Sequence, residues 1–351
     1  MKLPENISRL RLGLVINSPN DARSLSRQMG PFTAMARQDP RLEIVLPRTG
    51  LDGLSICDWD FFSSCDVVHF LDPFREADLT RIRLARMCGA KVWADFIDDV
   101  FSVRRSNPSW VGFANRDQIS KVVSTVTAEA DIVTCTTHPL RERLPNKERV
   151  VILPESCRWP AVNAPRRKLV TWRGMSGHAE DVESVIEAVR EVSHLPQFSK
   201  WEWMFMGEVP WKLADAVPTQ QLITVPVHPP FEWFQLWSQR APFLHLVPLP
   251  DNPFNRSKSC LAWLEATAVG AATIGPNLPE WQNCKGLIRY NDPADFKQVL
   301  RKEMEQWDNG KMHPAAIESR EDVYPKRTLE AVNEYRWIIL NKLCRREEVL
   351  T

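Results

Sequence analysis

The chain has 351 residues, with 45 Lys and Arg against 44 Asp and Glu, and a net charge of +1. Single hydrophobic cores stop growing near about 250–300 residues, so this length predicts two domains. The balanced charge argues against the broad basic field that binds nucleic acid or an anionic membrane.

The distribution of the cysteines and the lengths of the apolar runs indicate the cellular compartment. The eight cysteines are scattered, without a CxxC pair or metal-ligand spacing, and several lie in apolar runs typical of reduced, buried thiols. The N-terminal "MKLPENISRLRLGLVI" lacks the apolar stretch of a signal peptide, and no run approaches the roughly 18 apolar residues that cross a bilayer. We therefore expect a cytoplasmic protein without an integral membrane segment, a disulfide framework or a metal site.

The first half alternates short apolar runs with amphipathic stretches. Strands are predicted at 12–17, 42–47, 66–70, 91–97, 131–135 and 150–154. Helices are predicted at 22–37, 77–88, 113–128 and 139–144. Nearly all-apolar strands separated by helices are typical of a buried parallel sheet built from βαβ units.

A second series of the same kind follows the proline-containing linker "CRWPAVNAPRRK", 157–168. Strands are predicted at 169–172, 201–206, 222–225, 243–247, 271–274 and 287–290. Helices are predicted at 179–193, 231–239, near 257–269, at 294–307 and at 328–346. The predicted fold is α/β, with two Rossmann-like domains, 1–157 and 158–327, and a closing helix in 328–351 that packs back toward the first domain. Ligands of such sheets bind beyond the carboxyl ends of the strands.

The segment "PLPDNPFNRSKSCLAWLEATAVGAATIG", 248–275, predicts an anion site. A helix starting near Ser257 would present free N–H groups, Lys258 would add a cation, and Asn255 and Ser257 would cap or donate. Glu265, seven residues after Lys258, would lie on the same helix face and accept hydrogen bonds from hydroxyls. The pair suits a nucleoside diphosphate sugar, and the alternative is a capped helix with an exposed acid.

This segment resembles the donor site of GT-B fold glycosyltransferases, especially the retaining family 4, in its proline-containing strand exit, KS pair, LE step and "AVGAATI" strand. The resemblance implies two Rossmann-like domains facing each other across a cleft, with acceptor in the first and donor in the second. It places Glu265 at the nucleotide ribose and Ser257, Lys258 and Ser259 at the diphosphate. The family's earlier acid, eight residues before Glu265, is replaced here by Ser257.

"LVTWRGMSGHAEDVESVIEAV", 169–189, corresponds to the first strand and turn of the family's donor domain. The resemblance gives Arg173 the role of gripping phosphate, and Gly174 and Gly177 would let the backbone approach the ligand. The alternative is an Arg173 salt bridge with Asp181 or Glu180, with His178 as a cap.

The first domain offers three candidate catalytic residues. His69 ends the "DVVH" strand that is similar to one in many family members, although a lone His there is often a structural, hydrogen-bonded residue. Asp98 and Asp99 occupy the region where many family 4 enzymes place a His, and either would orient the acceptor hydroxyl or act as its base. The alternative is that the two acids cap a turn or bind Arg104 and Arg105.

Two further stretches stay open. The loop "INSPNDARSL", 16–25, lacks the family's Gly pair, and Ser18, Asn20 and Ser24 would replace it or serve the acceptor. Trp233 and Trp237 lie where such folds hold the nucleotide base, so they would stack on the base or pack in the core.

The leading hypothesis is a retaining, metal-independent glycosyltransferase that uses a nucleoside diphosphate sugar as substrate, needs no other cofactor, and transfers the sugar to an unidentified carbohydrate, protein or DNA hydroxyl. One alternative is a phage-type enzyme that glycosylates a hydroxylated DNA base. Its local phosphate contacts would come from Arg81, Arg83, Arg86, Arg104 and Arg105. From other classes, a nucleotide-sugar 2-epimerase and a non-catalytic nucleotide-binding scaffold fit the same fold.

Overall fold

The computed structural model describes residues 2–16, 22–50 and 55–344. Within these ranges, the first half contains the following elements: β1 (Leu10–Val15), α1 (Ala22–Ser24), a π-helical turn (Leu25–Met29), α2 (Gly30–Gln38), β2 (Leu42–Val45), β3 (Arg48–Thr49), β4 (Ser55–Ile56), α3 (Trp59–Ser63), β5 (Val67–Leu71), α4 (Glu76–Met87), β6 (Lys91–Phe96), α5 (Arg116–Glu129), β7 (Ile132–Cys135), α6 (His138–Arg143) and β8 (Val150–Ile152). Six of its strands form a parallel sheet in the order β2-β1-β5-β6-β7-β8.

The second half repeats this architecture. Its elements are β9 (Arg167–Gly174), α7 (Ala179–Glu183), α8 (Ile186–Ser193), β10 (Glu202–Gly207), α9 (Trp211–Asp215), β11 (Leu222–Val225), α10 (Pro230–Arg240), β12 (Pro242–Leu246), α11 (Pro253–Arg256), α12 (Leu261–Val269), β13 (Ala272–Pro276), β14 (Ile288–Tyr290), α13 (Pro293–Glu305) and α14 (Pro314–Arg327). All strands of its sheet are parallel, in the order β11-β10-β9-β12-β13-β14. The sequence order of the strands falls up to β9 and rises from β12, so the topology switches between these two strands. A ligand crevice is expected at that reversal, beyond the carboxyl ends of the two strands.

Short 3-10 turns join several of these elements. They lie at Trp110–Phe113, Lys147–Arg149, Ser176–His178, Pro196–Phe198, Thr219–Gln221 and Glu280–Asn283.

Burial explains why the strands could be predicted from the sequence. Every residue of β7 and of β12 is buried, as expected for strands covered on both faces by helices. The predicted strands are confirmed with shifts of one or two residues at their ends, and so is the α/β fold of two parallel-sheet domains. The short helices α3 and α9 and the longer α14 were not predicted, because their apolar spacing is weak.

The chain crosses between the two sheets twice, at neighbouring places. Cys157 and Thr328 form an isolated parallel bridge, and the Cys157 amide donates to the Arg327 carbonyl at 3.1 Å. The final helix, α15 (Leu329–Cys344), then packs against the first sheet, with Val332 and Trp337 in one apolar cluster with Leu12. Domain boundaries at residues 157 and 327 remain our proposal.

Candidate active site

A cleft of about 960 Å³ separates the two sheets and is lined by residues of both. Asp98 follows β6 and Glu155 follows β8 on one side, while Arg173 ends β9 and Val247 follows β12 on the other. The carboxyl ends of both parallel sheets therefore face this space, as the crevice rule for such sheets requires.

Arg173 and Glu265 meet on the second domain's side of the cleft. Their side chains form an ion pair although 92 residues separate them, and the Arg173 guanidinium lies 4.8 Å from the centroid of the Trp233 ring. Glu265 comes from the second turn of α12 and is 13% exposed, against 28% for Arg173. The arrangement places a bidentate cation, a hydroxyl acceptor and a half-buried aromatic ring beside one another.

Lys258 heads a chain of polar contacts on the same side. Its Nζ lies 3.3 Å from His178 Nε2, and His178 Nδ1 lies 2.9 Å from Asp181 Oδ2. The neighbouring Lys258 charge, together with burial, lowers the pKa of His178, so the neutral ring accepts from the ammonium and donates to Asp181. Burial lowers the pKa of Lys258, whereas the charges of Asp98 and Asp181 oppose that shift.

The helix start predicted near Ser257 is wrong. Asn252 caps the short helix α11 by accepting from the Asn255 amide, residues 257–260 are not helical, and α12 begins at Leu261. The Ser257 carbonyl accepts from Thr137 Oγ1 at 2.9 Å instead of serving a helix. Lys258 therefore precedes the helix that carries Glu265, and the two residues do not share a helix face, although both line the cleft.

The other polar residues of this segment have distinct positions. Asn255 is fully buried and donates through Nδ2 to Asp181 Oδ1 and to the Pro250 carbonyl, each at 3.0 Å. Ser257 is buried as well, and Ser259 lines the cleft next to Lys258. Helix α12 begins two residues later without a side-chain cap, and its first residues, Leu261 and Ala262, line the cleft, so its positive end lies at the cleft wall.

The glycines after Arg173 allow close packing. A Cβ on Gly174 would lie 2.5 Å from an atom of the Trp172 ring, and the Gly174 carbonyl accepts from the Glu208 amide at 2.9 Å. A Cβ on Gly177 would lie 3.0 Å from Asn107 Nδ2, a residue of the first domain. The expected approach of these glycines to a ligand stays a prediction.

His69 lies inside the first domain. It is fully buried, its Nδ1 is 3.0 Å from Gln28 Nε2, and its ring contacts those of Phe32 and Trp93 edge-on. Burial lowers its pKa to about 3. These contacts match the structural alternative for His69 and do not bring it to the cleft.

The neighbouring acids Asp98 and Asp99 lie in different surroundings. Asp98 lines the cleft, whereas Asp99 is 1% exposed, and its Oδ2 lies 3.2 Å from Arg143 Nε. Asp99 Oδ1 also accepts from the Phe101 amide at 3.0 Å, closing a local turn. Of the pair, Asp98 is the one placed to meet a ligand.

The first-domain loop 16–25 falls only in part within the described residues. Ser18 and Asn20 lie outside the described residues, and Ser24 is buried. The neighbouring Arg23 lines the cleft, with its Nη1 3.6 Å from Asp72 Oδ2.

Trp233 and Trp237, considered either for stacking on the base or for core packing, lie in different surroundings. Trp237 is fully buried and donates through Nε1 to Thr171 Oγ1 at 3.2 Å, so it packs in the core. Trp233 is half-buried and lines the cleft.

Sequence reasoning missed a contact between the domains. Arg104 reaches from the first domain to Asp181 Oδ1 at 2.8 Å and Glu180 Oε2 at 3.1 Å, occupying the acids considered as partners of Arg173. Glu155 was missed too: it is 5% exposed, lines the cleft, and has its pKa raised by burial. Nothing local in the sequence marks either feature, since both depend on the packing of distant segments.

The arginines considered for DNA contact have partners within the protein. Arg81 lies 3.5 Å from Asp78, Arg83 and Arg86 contact Glu129, and Arg105 lies over the Trp110 ring. Arg104 likewise pairs with Glu180 and Asp181.

The described part of the chain lacks two features. No cluster of three or more His, Cys, Asp or Glu side chains there is arranged to hold a metal ion. No helix there is long and apolar enough to cross a membrane.

The architecture is that of the GT-B class, two parallel-sheet α/β domains with the cleft between them. No protein-family model matches the sequence, and no curated protein matches it. Among solved structures, HepE of Anabaena in complex with UDP-glucose superposes with a TM-score of 0.63 at 8% identity, covering 95% of this chain and 100% of HepE.

Two further structures share the fold. The apo form of the lipopolysaccharide outer core galactosyltransferase WaaB gives a TM-score of 0.57 at 10% identity, covering 94% of this chain and 98% of WaaB. The pneumococcal O-GlcNAc transferase GtfA, in complex with UDP and GlcNAc, gives 0.58 at 12% identity, covering 81% of this chain and 59% of GtfA. At sequence identities this low, the superpositions show a common fold and no more.

Proposed function

We propose that the protein is a glycosyltransferase that moves a sugar from a nucleoside diphosphate sugar to an acceptor hydroxyl. The observation that carries the proposal is the convergence of Arg173, Lys258 and the uncapped start of α12 on one cleft, with Glu265 beside them. Two cations and a positive helix end suit a diphosphate, and a carboxylate suits the hydroxyls of a ribose or sugar. HepE and GtfA, which share the fold, were solved with UDP-glucose and with UDP and GlcNAc.

The proposed step breaks the bond between the anomeric carbon and the diphosphate oxygen. The electron pair stays on that oxygen, the acceptor oxygen bonds to the anomeric carbon on the same face, and the acceptor proton passes to the departing diphosphate. Negative charge therefore grows on the diphosphate, where Arg173 and Lys258 stabilise it. With two cations in this role, we propose that the transfer needs no metal ion, and the proposed attack on the face that the diphosphate leaves retains the anomeric configuration.

Neutral His178 supports the charge of Lys258 in this scheme. Its Nε2 accepts from the ammonium while Asp181 fixes the ring through Nδ1, so the ammonium has a defined position. Asp181 is in turn held by Asn255 and by Arg104. Asn255 therefore acts as a positioning residue, and Ser259 and Lys258 are the ones that face the diphosphate.

The proposal is tested by nucleotide release from a panel of UDP-sugars and GDP-sugars. Lys258→Ala is expected to lower kcat about 100- to 1,000-fold, the effect of removing one group that stabilises charge in a transition state. Glu265→Gln is expected to raise the donor KM about 10-fold, through loss of a charged hydrogen-bond acceptor. Matched controls are Lys200→Ala and Glu187→Gln, which change exposed side chains outside the cleft lining.

The possible results separate the alternatives. A parent protein that neither binds nor consumes any donor overturns the enzyme proposal, and one that binds nucleotide without turnover is the scaffold. Conversion of the donor sugar to its 2-epimer without an acceptor identifies an epimerase. Variants at Lys258 and Glu265 that match the parent show that the donor site lies elsewhere.

A further inference from the structure

A second, smaller cavity of about 230 Å³ adjoins the cleft on the first domain's side. Asp72, which follows β5, and Asp98, which follows β6, line it. Asp98 and Arg23 line both this cavity and the cleft, so the two spaces meet at these residues. A molecule in the small cavity would extend toward the proposed donor site.

Asp72 is held in an unusual backbone conformation, with one oxygen in a hydrogen bond and the other in a long ion pair. Its backbone has φ +46°, its amide donates to the Asp95 carbonyl at 2.8 Å, and its Oδ1 accepts from the Ile97 amide at 2.8 Å. Its Oδ2 lies 3.6 Å from Arg23 Nη1, an ion pair at a distance too long for a hydrogen bond. A carboxyl group that is only 7% exposed thus lies at the cavity wall with one of its oxygens held only by this long ion pair.

The chemistry of the cavity suits hydroxyl groups. A carboxylate accepts hydrogen bonds from hydroxyls, and burial with the nearby Asp98 charge raises the pKa of Asp72 to about 7, as expected for two acids that share a small space. Phe74 and Phe113, whose rings stack with centroids 4.7 Å apart, supply an apolar wall of the kind on which sugar rings lie.

The charges around the cavity disfavour an anionic ligand. Asp72, Asp78 and Asp98 line it together with Arg23 and Arg75. Arg23 pairs with Asp72, and the exposed Arg75 lies over the Phe74 ring, 5.1 Å from its centroid. Three acids against two arginines leave no surplus cation for a phosphate, so a nucleic-acid backbone or a sugar phosphate would meet repulsion.

We propose that this cavity is the acceptor subsite and that its ligand is a neutral carbohydrate. Asp72 and Asp98 accept hydrogen bonds from the sugar hydroxyls, and Asp98 places the reacting hydroxyl at the junction with the donor cleft. The inference rests on the proposed transferase function and narrows the acceptor to an uncharged sugar rather than a DNA base.

The first arm of the test measures binding without a donor. Neutral mono- and disaccharides, the matching sugar phosphates and a short DNA duplex are titrated into the full-length parent protein, Asp72→Asn and Asp98→Asn by calorimetry and ligand-observed NMR. Asn tolerates positive φ and keeps an oxygen for the Ile97 amide, so Asp72→Asn removes the charge with little strain. Asp60→Asn, at a side chain that is 85% exposed, is the matched control.

At least one neutral sugar is expected to bind the parent and Asp60→Asn, with its Kd raised about 10-fold in Asp72→Asn and in Asp98→Asn. In the second arm, UDP and GDP affinities of Asp72→Asn are expected to equal those of the parent, while its acceptor KM in transfer rises. Because each variant carries its own readout, misfolding of one, detected by its melting temperature, leaves the other to decide.

Three results would overturn the inference: binding or transfer to the phosphorylated probes or DNA in preference to neutral sugars, an unchanged sugar Kd in both variants, or no sugar binding while nucleotide binds. Sugar binding that depends on Asp72 in a protein that binds no nucleotide would keep the carbohydrate site and overturn the transferase function instead.

Discussion

At the scale of single residues, His69 shows how burial decides what a titratable group does. The rings of Phe32 and Trp93 and the amide of Gln28 surround it, and the lowered pKa keeps it neutral at physiological pH. A neutral, enclosed imidazole contributes packing and one hydrogen bond, so its loss is expected to affect stability rather than turnover.

The pH dependence of unfolding tests this role. The pKa of His69 is about 3 in the folded protein against 6.5 ordinarily, so between these values the unfolded chain binds a proton that the folded chain excludes. Stability is then lost as the pH falls below about 6.5, by up to about 1.4 kcal/mol per pH unit. His69→Gln, which keeps an acceptor for Gln28, should flatten this slope in denaturant unfolding between pH 4 and 6.

The buried His245 has a pKa that is also lowered by burial, so His69→Gln should remove one of at least two contributions. His228→Gln, at an exposed position, is the control and should leave the slope as it is. A variant His69→Gln with an unaltered slope but abolished transfer would return His69 to the list of catalytic candidates.

At the scale of elements, the connection between β6 and α5 links the domains. Its residue Arg104 binds the pair of acids at the start of α7, and Asn107 packs against Gly177 just before that helix. The same Asp181 that receives Arg104 also holds His178, which contacts Lys258. One carboxylate therefore takes part both in a contact between the domains and in the placement of the proposed phosphate cation.

Arg104→Ala is expected to lower the free energy of unfolding by about 1.5–3 kcal/mol, the range for hydrogen bonds to charged groups. Hydrogen exchange should become faster over residues 176–183, because Asp181 loses its partner from the other domain. Arg105→Ala, which removes a side chain lying over Trp110, is the control. Equal exchange in the two variants would show that Arg104 does not hold the domains together.

The elements themselves were largely predictable, because runs such as "DIVTC" and "FLHLV" are apolar enough to identify buried strands without knowledge of their neighbours. The start of α12 was not, because the carbonyl of Ser257, where the helix was predicted to begin, accepts a hydrogen bond from Thr137, a residue 120 positions away. The orientation of His69 into the core was equally unreadable, since it depends on α2 and β6 packing around β5.

At the scale of the whole molecule, the pairing of Arg173 with Glu265 could be predicted only in part from the sequence. The residues were singled out by resemblance to a known donor segment, yet their direct contact depends on the pairing of β9 with β12, the strand that precedes α11 and α12 in the chain. The link from Arg104 through Asp181 and His178 to Lys258 spans both domains, so no local pattern announces it.

The bridge between Cys157 and Thr328 has a topological consequence: the second sheet and its helices form an insertion within the first domain, whose sheet is covered by α15 after the chain returns. Both ends of the insert leave from adjacent points, the geometry that tolerates excision. We predict that residues 158–327 fold alone, with a cooperative unfolding transition, and bind the nucleotide that the full chain binds.

The complementary deletion, in which a short Gly-Ser linker replaces 158–327, should keep the first sheet folded and lack nucleotide binding. If circular dichroism shows that both pieces are unfolded, the two domains fold only as parts of the full chain.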